Sequence, residues 1–192
     1  MRMPPTPLFE TARLWLCPCS PADVPAVQRR FPRWEVVEFL SAVVPWPYPA
    51  DGAHQNMVET LNQLAAGSKS HWSLFLKEGG PGEMVGRISL WPDDGQSRDM
   101  RGFWLDPDFR GRGLMTEAAD RVTDYALEEL GWPRLWLSNA QPNLGSARVK
   151  QRQGAKLIAT EPGKFVSGEF PRQVWLLTAE AWAGRAGRPP GS

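Results

Sequence analysis

The sequence contains little of what metal centres, disulfide frameworks and membrane spans require. Its 192 residues include only two cysteines, Cys17 and Cys19, and two histidines. Because a structural zinc site needs four ligands, we expect no metal site, and we expect reduced thiols in a cytoplasmic protein. No apolar run approaches the ~20 residues of a membrane-spanning helix, and the first residues lack the layout of a secretory signal.

An excess of charge of one sign is also missing. Lys and Arg total 22 against 21 for Asp and Glu, which gives a net charge of +1. Without a broad electrostatic field, we expect neither nucleic acid nor a membrane surface as a partner. The length suits one compact domain, which we place at 1–183. The segment 184–192 consists mainly of Gly, Pro and Arg, and we expect it to be disordered.

Hydrophobic periodicity predicts the alternating strands and helices of an α+β domain. We expect strands at 13–17, 71–77, 84–91, 100–105, 134–138, 157–160 and 173–178, and helices at 21–30, 34–43, 53–66, 114–130 and 146–153. Turn and cap signals mark several of the boundaries. These are Ser20 before the first helix, Gly67 after the third, and a turn at 79–82. The third helix is expected to bury Met57, Leu61 and Leu64. The fourth is expected to bury Leu114, Ala118, Val122, Tyr125 and Ala126.

The most informative stretch runs from Leu105 to Ala119, where a strand passes through a Gly- and Arg-rich loop into a helix. Backbone N–H groups converge at such a helix N-terminus, which carries about half a positive charge. Glycines in the loop let an anion approach the backbone closely. Arg110 and Arg112 add forked donors that suit phosphate oxygens. The loop therefore predicts a phosphorylated ligand.

The spacing excludes two common phosphate loops. A dinucleotide fingerprint would need a third glycine where Thr116 stands, and no P-loop pattern occurs. The remaining pattern, [Q/R]-x-x-G-x-[G/A], is met by Arg110 and Gly113, with Met115 in the last place. It resembles the acyl-CoA pyrophosphate loop of the GNAT (GCN5-related) N-acetyltransferases. The string G-x-W-L-D-P-x-x-R-G-x-G-L-M-T-E-A, which begins at Gly102, resembles the ribosomal-protein N-terminal (alanine/serine) acetyltransferase branch.

The resemblance extends over most of the chain. It includes the first strand at 11–16, the segment 45–49, the run Asn143-Leu144-Gly145-Ser146, and Gly154-Ala155, where the family has Gly-Phe. It implies a single-domain fold whose mixed central β-sheet is flanked by helices, with a splayed strand pair that holds acetyl-CoA. It also implies transfer of an acetyl group from acetyl-CoA to an amine, without a metal.

The resemblance implies a set of site residues. Those expected to bind acetyl-CoA are Phe103, Trp104, Leu105, Arg110, Gly111, Arg112, Gly113, Leu114, Met115 and Asn143. Ser146 matches the serine that hydrogen-bonds the departing thiolate. Asp99, before the strand that carries Trp104, is a candidate for the acceptor cleft. Each polar residue also has a structural alternative, since Ser and Asn cap helices and Asp99 occupies a turn.

The general base is not evident. Some relatives carry a glutamate where this chain has Phe165, and neither Glu161 nor Glu169 is in register with it. An α-amine has a pKa near 8, so that positioning and a water relay remain an alternative to a base. Asp99 remains the candidate carboxylate.

The sequence does not decide which amine accepts the acetyl group. A protein N-terminal amine, a polyamine and a small-molecule amine are all consistent with it, and the nearest resemblance favours the first. We expect the segment 34–66, with Trp46 and Tyr48, to wall the acceptor side. Two further alternatives are a non-catalytic acyl-CoA-binding module and a loop that binds another phosphate compound or only turns the chain. Homodimers are common in the resembling branch, and no segment of the sequence indicates an interface.

Overall fold

A computed structural model describes residues 2–78 and 82–185. Eight strands are β1 (Phe9–Glu10), β2 (Leu14–Pro18), β3 (Ser70–Leu76), β4 (Met84–Leu90), β5 (Arg101–Leu105), β6 (Arg134–Ala140), β7 (Lys156–Phe165) and β8 (Gly168–Thr178). The α-helices in this part of the chain are α1 (Val24–Arg30), α2 (Trp34–Val37), α3 (Gly52–Ala66), α4 (Leu114–Asp124), α5 (Leu144–Arg152) and α6 (Ala179–Ala183).

The strands form two antiparallel sheets, which confirms the expected α+β class. The first has the order β1-β2-β3-β4-β5, and the second has the order β6-β8-β7. A backbone hydrogen bond of 2.9 Å, from the N–H of Met100 to the carbonyl of Trp136, links the two sheets where β5 begins. Beyond it, β5 and β6 are not paired. This is the splayed strand pair that the sequence resemblance implies.

The helices cover the sheets on two sides. α4 buries Leu114, Ala118 and Val122 as expected, and these residues belong to the main core together with Phe103 and Leu105 of β5. The expected helix 114–130 continues past α4 as a π-helical turn, Tyr125–Glu129. A smaller cluster, which includes Trp104, lies against α1 and α3 on the other side of β5. Side chains of β5 thus alternate between the two helical layers.

The prediction of a helix over 34–43 is wrong beyond Val37. The chain from 38 to 42 instead pairs with the tip of the β7–β8 hairpin, where Ser41 bridges Phe165. The N–H of Ala42 donates to the carbonyl of Lys164, and the N–H of Val166 donates to the carbonyl of Leu40. These long-range backbone hydrogen bonds override the local helical pattern.

Several other expectations differ in detail from the structure. Leu61 is 36% exposed, and the buried face of α3 consists of Gly52, Ala53, Met57 and Thr60. Strands β7 and β8 are longer than predicted, and α6 was not predicted. The expected turn at 79–82 falls largely outside the described residues, as does 186–192 of the expected disordered tail. Of that tail, Gly184 and Arg185 are described: Gly184 is the C-cap of α6, and Arg185 forms an ion pair with Asp120 and lies over the ring of Trp182.

Candidate active site

The loop between β5 and α4 is anchored at its start by a buried carboxylate. Asp106 is 1% exposed and accepts hydrogen bonds from Arg30 at 2.5 Å, Arg33 at 2.8 Å and the N–H of Asp108 at 3.0 Å. Charge-assisted hydrogen bonds of this kind are the strong ones. They fix the 3₁₀ turn Pro107–Phe109, and with it the path of the chain towards α4.

Two glycines shape the end of the loop. Gly111 and Gly113 have φ values of +78° and +76°, which L side chains rarely adopt. Gly113 is the N-cap of α4. No acceptor within the described chain takes a hydrogen bond from the N–H groups of residues 111–116. These unpaired donors lie at the positive end of α4, where an anion would be favoured, and we call this group of N–H donors the cradle.

The two loop arginines lie differently from one another. Arg110 donates to the carbonyl of Glu35 at 2.6 Å, and its partial burial lowers its pKa. It therefore holds the loop against α2. The exposed guanidinium of Arg112 lies 5.5 Å from the centre of the Phe109 ring, where its donors face solvent. Met115 is 7% exposed and packs in the core, so its side chain points away from the cradle.

A second clamp holds the first turn of α4. The carboxylate of Glu117 accepts from the N–H of Arg13 and from its Nε, both at 2.7 Å, and from the hydroxyl of Thr11. Arg13 also donates from Nη1 to the carbonyl of Arg112 at 2.7 Å. Burial alone would raise the pKa of Glu117, but these hydrogen bonds hold it below its usual value. We did not identify Glu117 from the sequence, where its only signal was a carboxylate in the first turn of a helix.

The edge of β5 that faces β6 is open. β5 pairs with β4 in the register Arg87↔Trp104, and the N–H of Asp106 donates to the carbonyl of Val85. Since an antiparallel ladder alternates, the backbone groups of Phe103 and Leu105 point away from β4. This edge begins at the Met100–Trp136 junction and ends at the loop, so it connects the gap to the cradle.

Ser146 lies on α5 with its hydroxyl bound to a lysine. Lys150 donates from Nζ to the Ser146 Oγ at 2.7 Å. Asn143 is the N-cap of α5, and its side chain accepts from the N–H of Ser146 at 3.1 Å. The helix-capping alternative therefore holds for Asn143, while the Ser146 hydroxyl is not the cap. We did not identify Lys150 from the sequence; its signal is its position one turn after Ser146.

Asp99 is not the solvated turn residue of the alternative interpretation. Its Oδ1 is buried and has no hydrogen-bond partner among the described residues. Burial raises the pKa of Asp99 to about 6, against the opposing effects of Lys150, Arg172 and hydrogen bonds from Ser138. Asp99 as a whole is half-buried, and a carboxylate with a raised pKa and a buried, unpaired oxygen is a candidate for proton transfer.

Aromatic rings line the other side of β5. The ring of Phe31 lies 5.3 Å from Trp104 and 5.0 Å from Tyr48. Further along, Trp34 and Trp46 are 5.5 Å apart, and each is about two-fifths exposed. Trp34, Trp46 and Tyr48 of this wall belong to the segment 34–66, which is expected to face the acceptor. Such rings can stack with a flat group or a cation.

The two carboxylates on either side of Phe165 in the sequence, Glu161 and Glu169, lie beside basic side chains. Phe165 packs against Phe170. Glu161 is bound by Arg172 at 2.5 Å and by Arg98, while Glu169 is exposed beside Lys164. Neither carboxylate replaces a base at position 165, which leaves Asp99 as the candidate.

Two features are absent from residues 2–78 and 82–185. No group of three or more His, Cys, Asp or Glu side chains there could hold a metal ion. No helix within these ranges is long and apolar enough to span a membrane.

The chain is similar to curated proteins that are named as acetyltransferases. YjcK of Bacillus subtilis, named as a probable N-acetyltransferase, is 29% identical over 109 residues, covering 56% of this chain and 59% of YjcK. YdaF of the same organism, provisionally named as a ribosomal N-acetyltransferase, is 35% identical over 106 residues, covering 54% of this chain and 58% of YdaF. These matches thus span about six-tenths of the length of each curated relative.

A solved structure shows the same fold. RimL, the ribosomal L7/L12 α-N-protein acetyltransferase in complex with coenzyme A, superposes with a TM-score of 0.76 at 16% identity, covering 91% of this chain and 99% of RimL. Residues 13–156, which include the loop, the open strand edge and α5, match the acetyltransferase (GNAT) domain. The chain therefore belongs to the GNAT acetyltransferase family.

Proposed function

We propose that this protein transfers an acetyl group from acetyl-CoA to a protein N-terminal α-amine. One observation carries the proposal: the unpaired N–H groups of residues 111–116 adjoin the open edge of β5. The cradle suits the CoA pyrophosphate, and the edge suits the amides of pantetheine, which pair with a free strand by ordinary backbone hydrogen bonds. Neither feature alone would distinguish CoA from other phosphate ligands.

The chemical step needs three functions from the chain. The N–H of Leu105, at the end of the open edge, would stabilise the oxyanion that forms as the amine attacks the thioester. The Ser146 hydroxyl would hydrogen-bond the departing thiolate. Asp99, with its raised pKa, would receive the proton of the acceptor amine through water. An α-amine suits this arrangement because its pKa near 8 leaves part of it neutral at pH 7.

The acceptor class rests on the relatives and on the aromatic wall. RimL is named for α-N-protein acetylation, and YdaF carries a ribosomal name. Exposed Trp34 and Trp46 offer a surface against which a peptide could pack. We place the reaction in the cytoplasm, where thiols such as Cys17 and Cys19, both free in the structure, stay reduced.

The test is an acceptor panel with the full chain. N-terminal peptides beginning with Ala or Ser, the same peptides with a blocked α-amine but a free lysine, and a polyamine are each incubated with acetyl-CoA. We expect mass spectrometry to find one acetyl group on the free α-amine alone, with an equal release of CoA thiol. Acetylation of only the polyamine would overturn the acceptor class. No transfer to any acceptor despite acetyl-CoA binding would favour the non-catalytic module.

A further inference from the structure

Lys150 is a buried lysine whose ammonium group binds Ser146. It is 2% exposed, and its Nζ donates to the Ser146 Oγ at 2.7 Å and to the Ser146 carbonyl at 3.4 Å. Within the described ranges it forms no salt bridge. An ammonium group removed from water and left unpaired is unfavourable for folding, so that helix stability alone does not account for a lysine here.

The charges around Lys150 come from several elements. Asp99 approaches from the turn before β5, and Arg101 approaches from β5 itself; Arg172 of β8 acts on Asp99 in turn. Burial, together with Arg101, lowers the pKa of Lys150 to about 7, while Asp99 opposes this shift. Both Lys150 and Asp99 can therefore exchange a proton near neutral pH.

Lys150 lies close to a residue of β5 that belongs to the open edge. Its Nζ lies 5.6 Å from the ring centre of Phe103, whose backbone belongs to the open edge. Asp99 immediately precedes Met100, which forms the junction with Trp136 at the closed end of the gap. Ser146 thus has a buried proton donor within hydrogen-bonding distance, and this donor lies near a residue of the open edge.

We propose that Lys150 is a positioning and proton-relay residue that orients the Ser146 hydroxyl and resupplies its proton as CoA departs. The inference rests on the proposed acetyl transfer. The acceptor nitrogen bonds to the carbonyl carbon, the C–S bond breaks, and its electron pair stays on sulfur. Ser146 gives its proton to that sulfur and takes one from Lys150. The amine loses its proton to water or Asp99, and Asp99 is the carboxylate placed to restore a proton to Lys150.

The first experiment compares variants of the full chain at saturating acetyl-CoA and peptide. We expect Lys150→Met to lower kcat about 100-fold, the range of a lost proton-transfer contribution, with the KM for acetyl-CoA nearly unchanged. Ser146→Ala should behave alike, and the double variant should be no slower than Ser146→Ala alone, because the two residues act as a unit. Exposed Lys156→Met is the control and should match the wild type.

The pH dependence separates a relay from a scaffold. The ratio of wild-type to Lys150→Met kcat should fall as pH rises through about 7, because Lys150 then loses the proton that it donates. Lys150→Arg keeps a charge and a donor but cannot release a proton near neutrality, so kcat should stay low. Recovery of the wild-type kcat in Lys150→Arg would overturn the relay.

A further measurement covers the case in which Lys150→Met does not fold. In that case the wild type and Ser146→Ala are compared across pH. The wild-type kcat should fall as pH rises through about 7, and the kcat of Ser146→Ala should not. The same fall in Ser146→Ala would overturn the inference. If the wild type transfers acetyl groups and a folded Lys150→Met protein is fully active, the relay is overturned and the proposed function stands. No transfer by the wild type to any acceptor would overturn both.

Discussion

The carboxylate of Glu117 binds the guanidinium of Arg13 at 2.7 Å and thereby joins the start of β2 to the first turn of α4. The same arginine reaches the carbonyl of Arg112. Two elements more than 100 residues apart in sequence thus hold the end of the loop, whereas Asp106 anchors its start. The cradle amides are fixed before any ligand arrives, which reduces the entropy lost on binding.

This clamp should make stability depend on pH. Because hydrogen bonds hold the folded-state pKa of Glu117 below 4.5, its stabilisation is complete above the unfolded value and is lost as pH falls through the folded one. Glu117→Gln removes that dependence. Urea unfolding of both proteins should show the variant less stable at pH 7 and the difference shrinking below pH 4.5. A constant difference across pH would contradict this role.

Replacement of the buried anchor should destabilise the fold. Asp106→Ala leaves Arg30 and Arg33 without their carboxylate, and we expect the free energy of unfolding to fall by about 3–5 kcal/mol, as for a buried pair that loses one partner. Asp108→Ala is the matched control, because its side chain is 67% exposed and such ion pairs contribute about 0–1 kcal/mol. Equal losses in chemical denaturation would argue against Asp106 as the anchor.

Closure of the cradle should abolish CoA binding. Gly113→Val adds a branched side chain at a left-handed position within the cradle, where its Cβ would lie 3.5 Å from Nη2 of Arg13, and we expect acetyl-CoA affinity, measured by calorimetry, to fall more than 10-fold. Gly95→Val is the control, since Gly95 has a similar φ of +73° in an exposed loop with no neighbouring atom. Gly95→Val should suffer the same backbone strain as Gly113→Val and yet keep the wild-type affinity for acetyl-CoA. Native affinity in Gly113→Val would show that the loop is not the CoA site.

The acceptor wall can be tested apart from the cofactor site. Trp46→Ala removes a ring that is 41% exposed and packs on Trp34. We expect the KM for the peptide to rise about tenfold, as for loss of an aromatic contact worth about 1–1.5 kcal/mol, with acetyl-CoA binding unchanged. Leu157→Ala, a comparably exposed apolar residue on β7, should change neither. If Trp46→Ala instead lost only its affinity for acetyl-CoA, the aromatic wall would belong to the cofactor site and not to the acceptor site.

Much of the fold could be predicted because local patterns and tertiary contacts agree. The face of α4 and the glycines at 111 and 113 follow from helical period and turn chemistry, and the structure has both. Residues 38–42 could not be predicted, since their partner is the hairpin around Phe165, which is distant in sequence.

The polar contacts of the site were less accessible to sequence reasoning. Arg110 suggests a phosphate ligand by its chemistry, yet it binds the carbonyl of Glu35. Lys150 resembles any helical surface lysine until its burial is known. Side-chain direction and burial depend on packing between elements, which periodicity alone does not give.

The most direct test of the account is a thermal-shift titration of the wild-type chain with acetyl-CoA, with ATP and NAD in parallel. A ligand at about one hundred times its Kd adds about 2.7 kcal/mol to the folded state, which corresponds to several degrees for a chain of this size. We predict such a shift for acetyl-CoA and none of similar size for ATP or NAD. An equal shift with all three, or none with acetyl-CoA, would contradict the assignment of this loop and strand edge to CoA.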